Sequence, residues 1–163
     1  MPEILTWDKM WGEQFEPKTQ MRFIMELMDN VPAYIIKAAS RPTLNQEAIE
    51  IDHINIKRKI KGKSTWDDMT VTLYDPIVPS GAQAVMDWVR KSHESITGRD
   101  GYALFYKQNL GFKMLGPVGD VVEEWKISGA FITQVTFGDM DWSTSDLVNI
   151  QCTIAYDYAV LEY

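Results

Sequence analysis

A strict alternation of apolar and polar residues over the eleven positions 148–158 constrains this chain more than any other feature. The apolar positions fall on one side of the pattern and are Val148, Ile150, Cys152, Ile154 and Tyr156. The positions between them are small, polar and almost uncharged. Because successive side chains of a β-strand point to opposite faces of a sheet, a period of two predicts a strand. One face of this strand should cover a core, and the other should meet water or another polar surface.

The composition indicates a single globular domain. The chain has 163 residues, of which 45% are hydrophobic and 24% charged, and these are ordinary values for a domain with its own core. It has no apolar run of the roughly 20 residues that a membrane helix needs. Its first residues lack the basic start and apolar centre of a secretory signal. Cys152 is the only cysteine, which excludes an internal disulfide and fits a reducing compartment.

The charge of the chain argues against tight binding of nucleic acid. The formal net charge is −7 and the pI is about 4.8. An acidic surface repels the phosphate backbone, but a protein that touches DNA without holding it is compatible with this charge. The basic run at 57–63 suits phosphate, an acidic partner surface or simple solvation of a strand edge.

A long β-hairpin is predicted in the first half of the chain. Isoleucines alternate along residues 48–60, and the phase slips by one at Asp52-His53, as in a β-bulge. Gly62-Lys63-Ser64 has the composition of a turn, and Met69–Asp75 alternates cleanly as the second strand.

One helix and several other strands complete the predicted fold. The helix is expected at Ser80–Ser92, where apolar residues recur at helical spacing behind an N-cap serine. A long strand is expected at Glu124–Phe137. Short strands are expected at 21–28, 33–38, 103–108 and 112–115, although the first of these also allows a short helix. The predicted class is mainly β, a barrel or sandwich of antiparallel strands with one flanking α-helix.

The N-terminal segment has a different pattern. Trp7 and Trp11 lie on one face of a helical repeat that runs over residues 6–15 and stops at Pro17. Two exposed tryptophans are unfavourable, so this arm should pack on its own body or on a neighbour. We therefore divide the chain into an N-terminal arm, 1–20, and a β-barrel domain, 21–163.

No residue pattern supports catalysis. His53 and His93 have no further ligand at the spacing of a zinc site. The carboxylate pairs Asp67-Asp68 and Asp139-x-Asp141 suit a hard cation or acid–base chemistry, but they are more typical of solvated turns. Cys152 lies among apolar strand residues and should behave as a small hydrophobe. We predict a protein that is not an enzyme and that uses neither a cofactor nor a metal.

The order of elements and several short motifs resemble the tail tube proteins of contractile-tailed bacteriophages. The motifs are KGKSTWDDMTVTLYD at 61–75, one helix with Trp88, EWKISGAF at 124–131, MDWSTSD at 140–146 and IQCTIAYD at 150–157. The resemblance covers about residues 21–158. The family is related to the tubes of contractile injection systems and of type VI secretion.

The resemblance implies a structural virion protein that forms hexameric rings, which stack into a hollow tail tube assembled in the host cytoplasm. Strands of each subunit would form one shared barrel. The hairpin near 41–65 and the N-terminal arm would reach the next ring. The tail sheath protein would pack outside the tube, and baseplate proteins would contact it. A tape-measure protein would occupy the channel first, and DNA would pass through it during ejection. The resemblance implies no contact with a membrane. Residues 1–17 do not match, which leaves a baseplate-proximal tube initiator or an injection-system tube open as alternatives.

Within this interpretation, polar strand faces line the channel. Duplex DNA carries one negative charge per ~1.7 Å, so a basic wall would clamp it, whereas a polar or acidic wall would let it slide. The residues expected to face the lumen are Ser128, Gln134, Thr136, Asn149, Gln151 and Thr153. The residues expected to stack rings are Trp7, Trp11, Lys57, Lys59 and Lys61.

Two functions of other classes stay open on the sequence. One is a monomeric ligand-binding barrel in which Trp125, Phe131 and Phe137 line a cavity, although small barrels normally fill their interior with side chains. The other is an enzyme that uses one of the carboxylate pairs with a metal.

Overall fold

The computed structural model describes residues 15–27 and 31–162. Within these residues the chain forms nine strands and two α-helices. The strands are β1 (Phe23–Glu26), β2 (Ile36–Ala39), β3 (Thr43–His53), β4 (Ile56–Asp67), β5 (Met69–Tyr74), β6 (Gln108–Leu115), β7 (Val121–Thr136), β8 (Asn149–Ala155) and β9 (Tyr158–Glu162). The helices are α1 (Gly81–Ser92) and α2 (Ala103–Tyr106), and a 3-10 turn covers Ala33–Ile35. Neither helix is long and apolar enough to cross a membrane, among the residues described.

Seven strands form the main antiparallel sheet: six follow the order β1-β6-β7-β8-β5-β2, and β9 pairs with β7 beside this path. The long strand β7 belongs to two halves of this sheet. Its first part pairs with β6 on one side and β9 on the other, and its second part pairs with β8. The predicted class, mainly antiparallel β with one well-formed helix, is confirmed.

One hydrophobic core connects the two halves of the sheet. Every strand of the main sheet contributes at least one buried side chain, and α1 adds Val85 and Trp88. The Trp88 indole N–H donates to the carbonyl of Tyr106 at 2.8 Å, so its polar atom is satisfied although the ring is buried. Ser80 caps α1 as predicted, since its hydroxyl accepts from the amide of Gln83 at 3.4 Å.

The change of partners along β7 occurs at Gly129. This residue has a φ of +69°, and a Cβ there would collide with the carboxylate of Asp157. The buried positions of β7 change phase at this point, from Ile127 to Ala130. The prediction of a single alternating face along 124–137 is therefore wrong, because a backbone irregularity resets the period.

The hairpin is formed differently from the prediction. The phase slip near Asp52 is a two-residue turn at Ile54-Asn55, and Gly62 lies inside β4. The partner of β3 is β4, while β5 pairs with β8 and β2. The turn was hidden because Ile54 adopts a φ of +52°, which β-branched residues rarely do.

Two short segments also differ from the prediction. Residues 103–106 form a helical turn rather than a strand, and β6 then runs without interruption through Gly111. The predicted strand at 33–38 starts as a 3-10 turn and becomes extended only at Ile36. Segments this short carry too few residues for periodicity to separate the two states.

Candidate assembly surfaces

One face of the sheet half β7-β8-β5-β2 carries polar, uncharged side chains. Gln151 and Thr153 of β8 lie opposite Thr72 and Thr70 of β5. On the other side of β8, Thr136 pairs with Gln151, and Gln134 with Thr153. Because paired residues of neighbouring strands share a face, these side chains form one continuous surface. The apolar residues between them, such as Cys152 and Ile154, are buried on the opposite face.

The structure brings together four of the predicted lumen-facing residues and adds two that were missed. Gln134, Thr136, Gln151 and Thr153 share the polar face, where Thr70 and Thr72 join them. These two threonines alternate with buried residues just as the β8 residues do, but the sequence does not show that β5 lies beside β8.

Asn149 and Ser128 are placed less simply. Asn149 pairs with Tyr74 at the end of β8, and its buried side-chain oxygen accepts no hydrogen bond from the described residues. Ser128 precedes the irregularity at Gly129 and pairs with Tyr158 of β9. It therefore lies in the other half of the sheet, outside the β7-β8-β5-β2 face.

Two strand edges border the polar face. Residues 131–136 of β7 pair with β8, and no described strand pairs with their other side. At the opposite border, β2 pairs with β5, and no described strand pairs beyond it. Unpaired edges present backbone N–H and C=O groups that another strand can satisfy.

The hairpin β3–β4 forms a separate two-stranded sheet with most side chains exposed. Its base contacts the body where the rings of Trp66 and Tyr156 lie 6.0 Å apart and the amide of Thr43 donates to the Tyr156 hydroxyl at 3.3 Å. An isolated hairpin of this kind is only marginally stable in water, so it needs a further surface to pack on.

The predicted stacking lysines share one face of the hairpin. Lys57 and Lys59 lie opposite Asp52 and Glu50, and Lys61 lies on the same face. Lys57 and Lys59 approach Glu50 at 3.2 and 3.5 Å, so two cations of the basic run are paired across the hairpin. Such exposed pairs contribute only ~0–1 kcal/mol each.

The other face of the hairpin is mainly apolar. Ile49 lies opposite Ile60, and the same face carries Ile51 opposite Arg58 and Ile56 opposite His53, so it has two polar positions. All four isoleucines are 44–69% exposed. Trp7 and Trp11, the other predicted stacking residues, lie outside the described residues.

The candidate chemical groups are not gathered into a site. His93 and Asp100 form a surface pair at 2.8 Å, and the carboxylate of Asp141 accepts from the amide and hydroxyl of Ser143. These hydrogen bonds lower the pKa of Asp141. Burial raises the pKa of the Cys152 thiol to about 11. Among the described residues, no group of three His, Cys, Asp or Glu side chains is arranged to hold a metal ion.

Known proteins resemble this chain in sequence and fold. The tail tube protein gp19 of Enterobacteria phage T4 is 28% identical over 127 residues, which cover 75% of this chain and 77% of gp19. The chain is similar to contractile-tail tube proteins. This similarity confirms the resemblance that the motifs indicated. Tail tube proteins are structural rather than enzymatic, which also confirms the prediction that this chain is not an enzyme.

Solved structures share the fold of this chain. A chain of the anti-feeding prophage tube-terminating cap superposes with a TM-score of 0.73 at 23% identity, covering 91% of this chain and 92% of that one. A chain of the sheath-tube complex of an extracellular contractile injection system, PVC, in its extended state gives a TM-score of 0.71 at 18% identity, covering 98% and 99%. At these identities the superpositions show the fold alone. No protein-family model matches the sequence.

Proposed function

We propose that this protein is the structural subunit of a contractile-tail tube and that six copies close into a ring. The observation that carries the proposal is the half-sheet β7-β8-β5-β2, which has a polar outer face and, among the described residues, a strand edge without a partner at each border. The number six rests on the family resemblance.

The two borders explain how the ring closes. Residues 131–136 of one copy pair with β2 of the next, which continues the sheet from subunit to subunit. Repeating this contact around the ring removes every open edge of the half-sheet, as barrel closure does within a single chain. The polar faces then line the bore, and the buried faces stay in the core of each subunit.

The bore is polar and close to neutral. Hydroxyl and amide side chains dominate the face, and no Asp or Glu occurs in 36–39, 69–74, 131–136 or 149–155. Lys37 is the charged residue in these segments, and its ammonium lies over the Tyr74 ring at 5.6 Å. The acidic character that we expected of the wall finds no support in these strands. A wall of this kind suits passage of DNA because Lys37 is the one cation that these strands offer to the phosphates.

Rings stack through the hairpin and the N-terminal arm. The apolar face of Ile49, Ile51, Ile56 and Ile60 is exposed on a hairpin that cannot fold stably alone. Packing this face on the adjacent ring removes it from water, which contributes roughly 25 cal/mol per Å² of apolar area buried. The paired charges on the other face stay at the rim.

The remaining partners follow from the tube assignment. The sheath packs outside, baseplate proteins contact one end, and a tape-measure protein and then DNA occupy the channel. The tube is part of the virion tail after assembly in the host cytoplasm. A baseplate-proximal initiator or an injection-system tube would use the same surfaces.

Electron microscopy of the purified full-length chain tests the assembly. We expect rings of six copies that stack into tubes with an open centre. A protein that stays monomeric at high concentration would contradict the proposal and favour a ligand-binding barrel.

The bore is tested with a matched pair of lysine variants. Gln151 lies on the polar face, and Gln83 lies on the exposed side of α1. Because both variants replace a glutamine by a lysine, they have the same net charge. Tubes of the Gln151 variant should retain short duplex DNA in a nuclease-protected form, whereas wild-type and Gln83→Lys tubes should not. Equal protection by the two variants would show that Gln151 does not face the bore.

A further inference from the structure

A buried carboxylate lies where the segment that precedes β1 meets the base of the hairpin. Glu123 of β7 is 5% exposed, the one charged residue that is buried among those described. Its oxygens accept hydrogen bonds from the Lys18 ammonium, from the Arg41 guanidinium at 2.6 Å and from the Trp125 indole N–H. Burial acts to raise the pKa of Glu123, but these hydrogen bonds outweigh it and lower the pKa.

The two cations come from segments that lie far apart in the chain. Lys18 lies near the end of the N-terminal arm, 1–20, and Arg41 lies in the connector between β2 and β3. Both side chains are about half exposed, whereas the carboxylate is not. Glu123 is therefore the buried point on which the two half-exposed side chains converge.

The carboxylate makes the two contacts interdependent. A charge removed from water is costly unless it is paired and hydrogen-bonded, so loss of one cation leaves part of the buried charge uncompensated. One side of the carboxylate faces Lys18, through Oε2, and the other faces Arg41 and Trp125, through Oε1. If one cation is changed, the carboxylate shifts to a new favourable position. That shift also alters its hydrogen bond to the other cation.

We propose that Glu123 is a positioning residue that couples the direction of the N-terminal segment to that of the hairpin, so that both elements meet the adjacent ring together. This inference rests on the proposed tube function. It assigns no contact of Glu123 itself with another copy.

The first test compares two neighbouring carboxylates in assembly. Glu123→Gln keeps the size of the side chain but removes the charge, and Glu124→Gln is the matched control on the exposed side of β7, near Lys113. We expect Glu123→Gln to form rings but to lower the yield of stacked tubes about tenfold or more, while Glu124→Gln stacks like the wild type. Normal stacking of Glu123→Gln would overturn the inference and leave the ring proposal intact, whereas absence of wild-type rings would overturn the ring proposal itself.

The second test measures the coupling in the unassembled full-length subunit. Lys18→Gln changes only the N-terminal side, so a purely local contact would leave hydrogen exchange at the hairpin base unchanged. Because hydrogen bonds to charged groups are among the stronger ones in proteins, we expect exchange of the amides at 43–46 and 64–67 to rise about tenfold. Lys18→Arg keeps the cation and should restore slow exchange. Unchanged exchange in Lys18→Gln would contradict the coupling.

Discussion

The change Gly129→Ala should destabilise the subunit more than the loss of a glycine alone explains. Gly129 lies where β7 changes partners, and its φ of +69° is in the left-handed region. An added Cβ would meet Asp157, with its Cγ at 2.6 Å and its Cβ at 3.2 Å, so the carboxylate has to move away. That carboxylate accepts hydrogen bonds from the Lys107 ammonium at 2.9 and 3.0 Å.

Three contributions add up to the expected loss. Holding alanine in the left-handed region costs ~1–2 kcal/mol. Rotating Asp157 away from Lys107 costs ~0–1 kcal/mol for the half-exposed ion pair, and forcing its side chain off a favoured rotamer costs ~1 kcal/mol. We therefore expect Gly129→Ala to lower the free energy of unfolding by about 2–4 kcal/mol.

Gly98→Ala is the matched control. Gly98 has a φ of +68°, and a Cβ added there meets nothing within 4 Å, so this variant measures the backbone contribution alone. We expect a loss of ~1–2 kcal/mol for it. Urea unfolding of both variants, on subunits kept too dilute to assemble, gives the two losses side by side.

A double-mutant cycle separates the contact from the strain. In an Asp157→Ala background the colliding carboxylate is gone, so the further loss caused by Gly129→Ala should fall close to that of Gly98→Ala. Equal losses for Gly98→Ala and Gly129→Ala in the native background would refute the reasoning, because they would show that Asp157 moves without cost.

Three further predictions address other parts of the chain. The Cys152 thiol is buried and its pKa is raised to about 11, so it should react slowly with a thiol reagent at pH 8 in the folded subunit and rapidly in urea. Rapid reaction of this thiol in the folded subunit would contradict its burial. Ile49→Ser combined with Ile60→Ser should leave subunit unfolding unchanged within about 0.5 kcal/mol but reduce tube length in electron micrographs, because exposed residues contribute little to the isolated subunit. The pKa of Glu123 is lowered from 4.5, so its charged form stabilises the fold above that pH. The difference in stability between wild type and Glu123→Gln should therefore disappear as the pH falls through the lowered pKa. A difference that does not change with pH would contradict this.

The sequence predicted the elements whose pattern is local. The alternation along β8 gives its buried face directly, with Ile150, Cys152 and Ile154 all below 3% exposure. The helix α1 has an N-cap serine and a regular apolar repeat, and both occur in the structure. In these elements the residue pattern and the tertiary environment agree, so periodicity is sufficient.

The sequence failed where a single backbone position resets the pattern. At Gly129 the phase of β7 changes, and an isolated glycine inside a strand was the available signal of an irregularity. At Ile54 a turn occurs without Gly or Asn-Gly at its first position, so composition gave no warning. Placement of Thr70 and Thr72 on the polar face depends on strand order, which is long-range information.

The buried carboxylate shows a further limit of reading a strand by periodicity. Glu123 occupies an inward position of β7, where alternation favours an apolar residue, and a charged residue there looks like a break in the pattern. What makes the position acceptable is the arrival of Lys18 and Arg41 from distant parts of the chain. Partners that lie 105 and 82 residues away leave no local signature.

The two kinds of unpaired surface suggest an order of assembly. The open edges of β2 and of residues 131–136 belong to strands whose other faces lie in the core, so their positions are fixed before any neighbour arrives. The hairpin contacts the body at its base, near Trp66 and Tyr156, and the side chains of its far end are exposed. Edges that are already in place lose little conformational entropy on pairing, whereas the hairpin must be ordered by the surface it packs on. Ring closure should therefore precede stacking, and single rings should be the smallest species in which the half-sheet has no open edge.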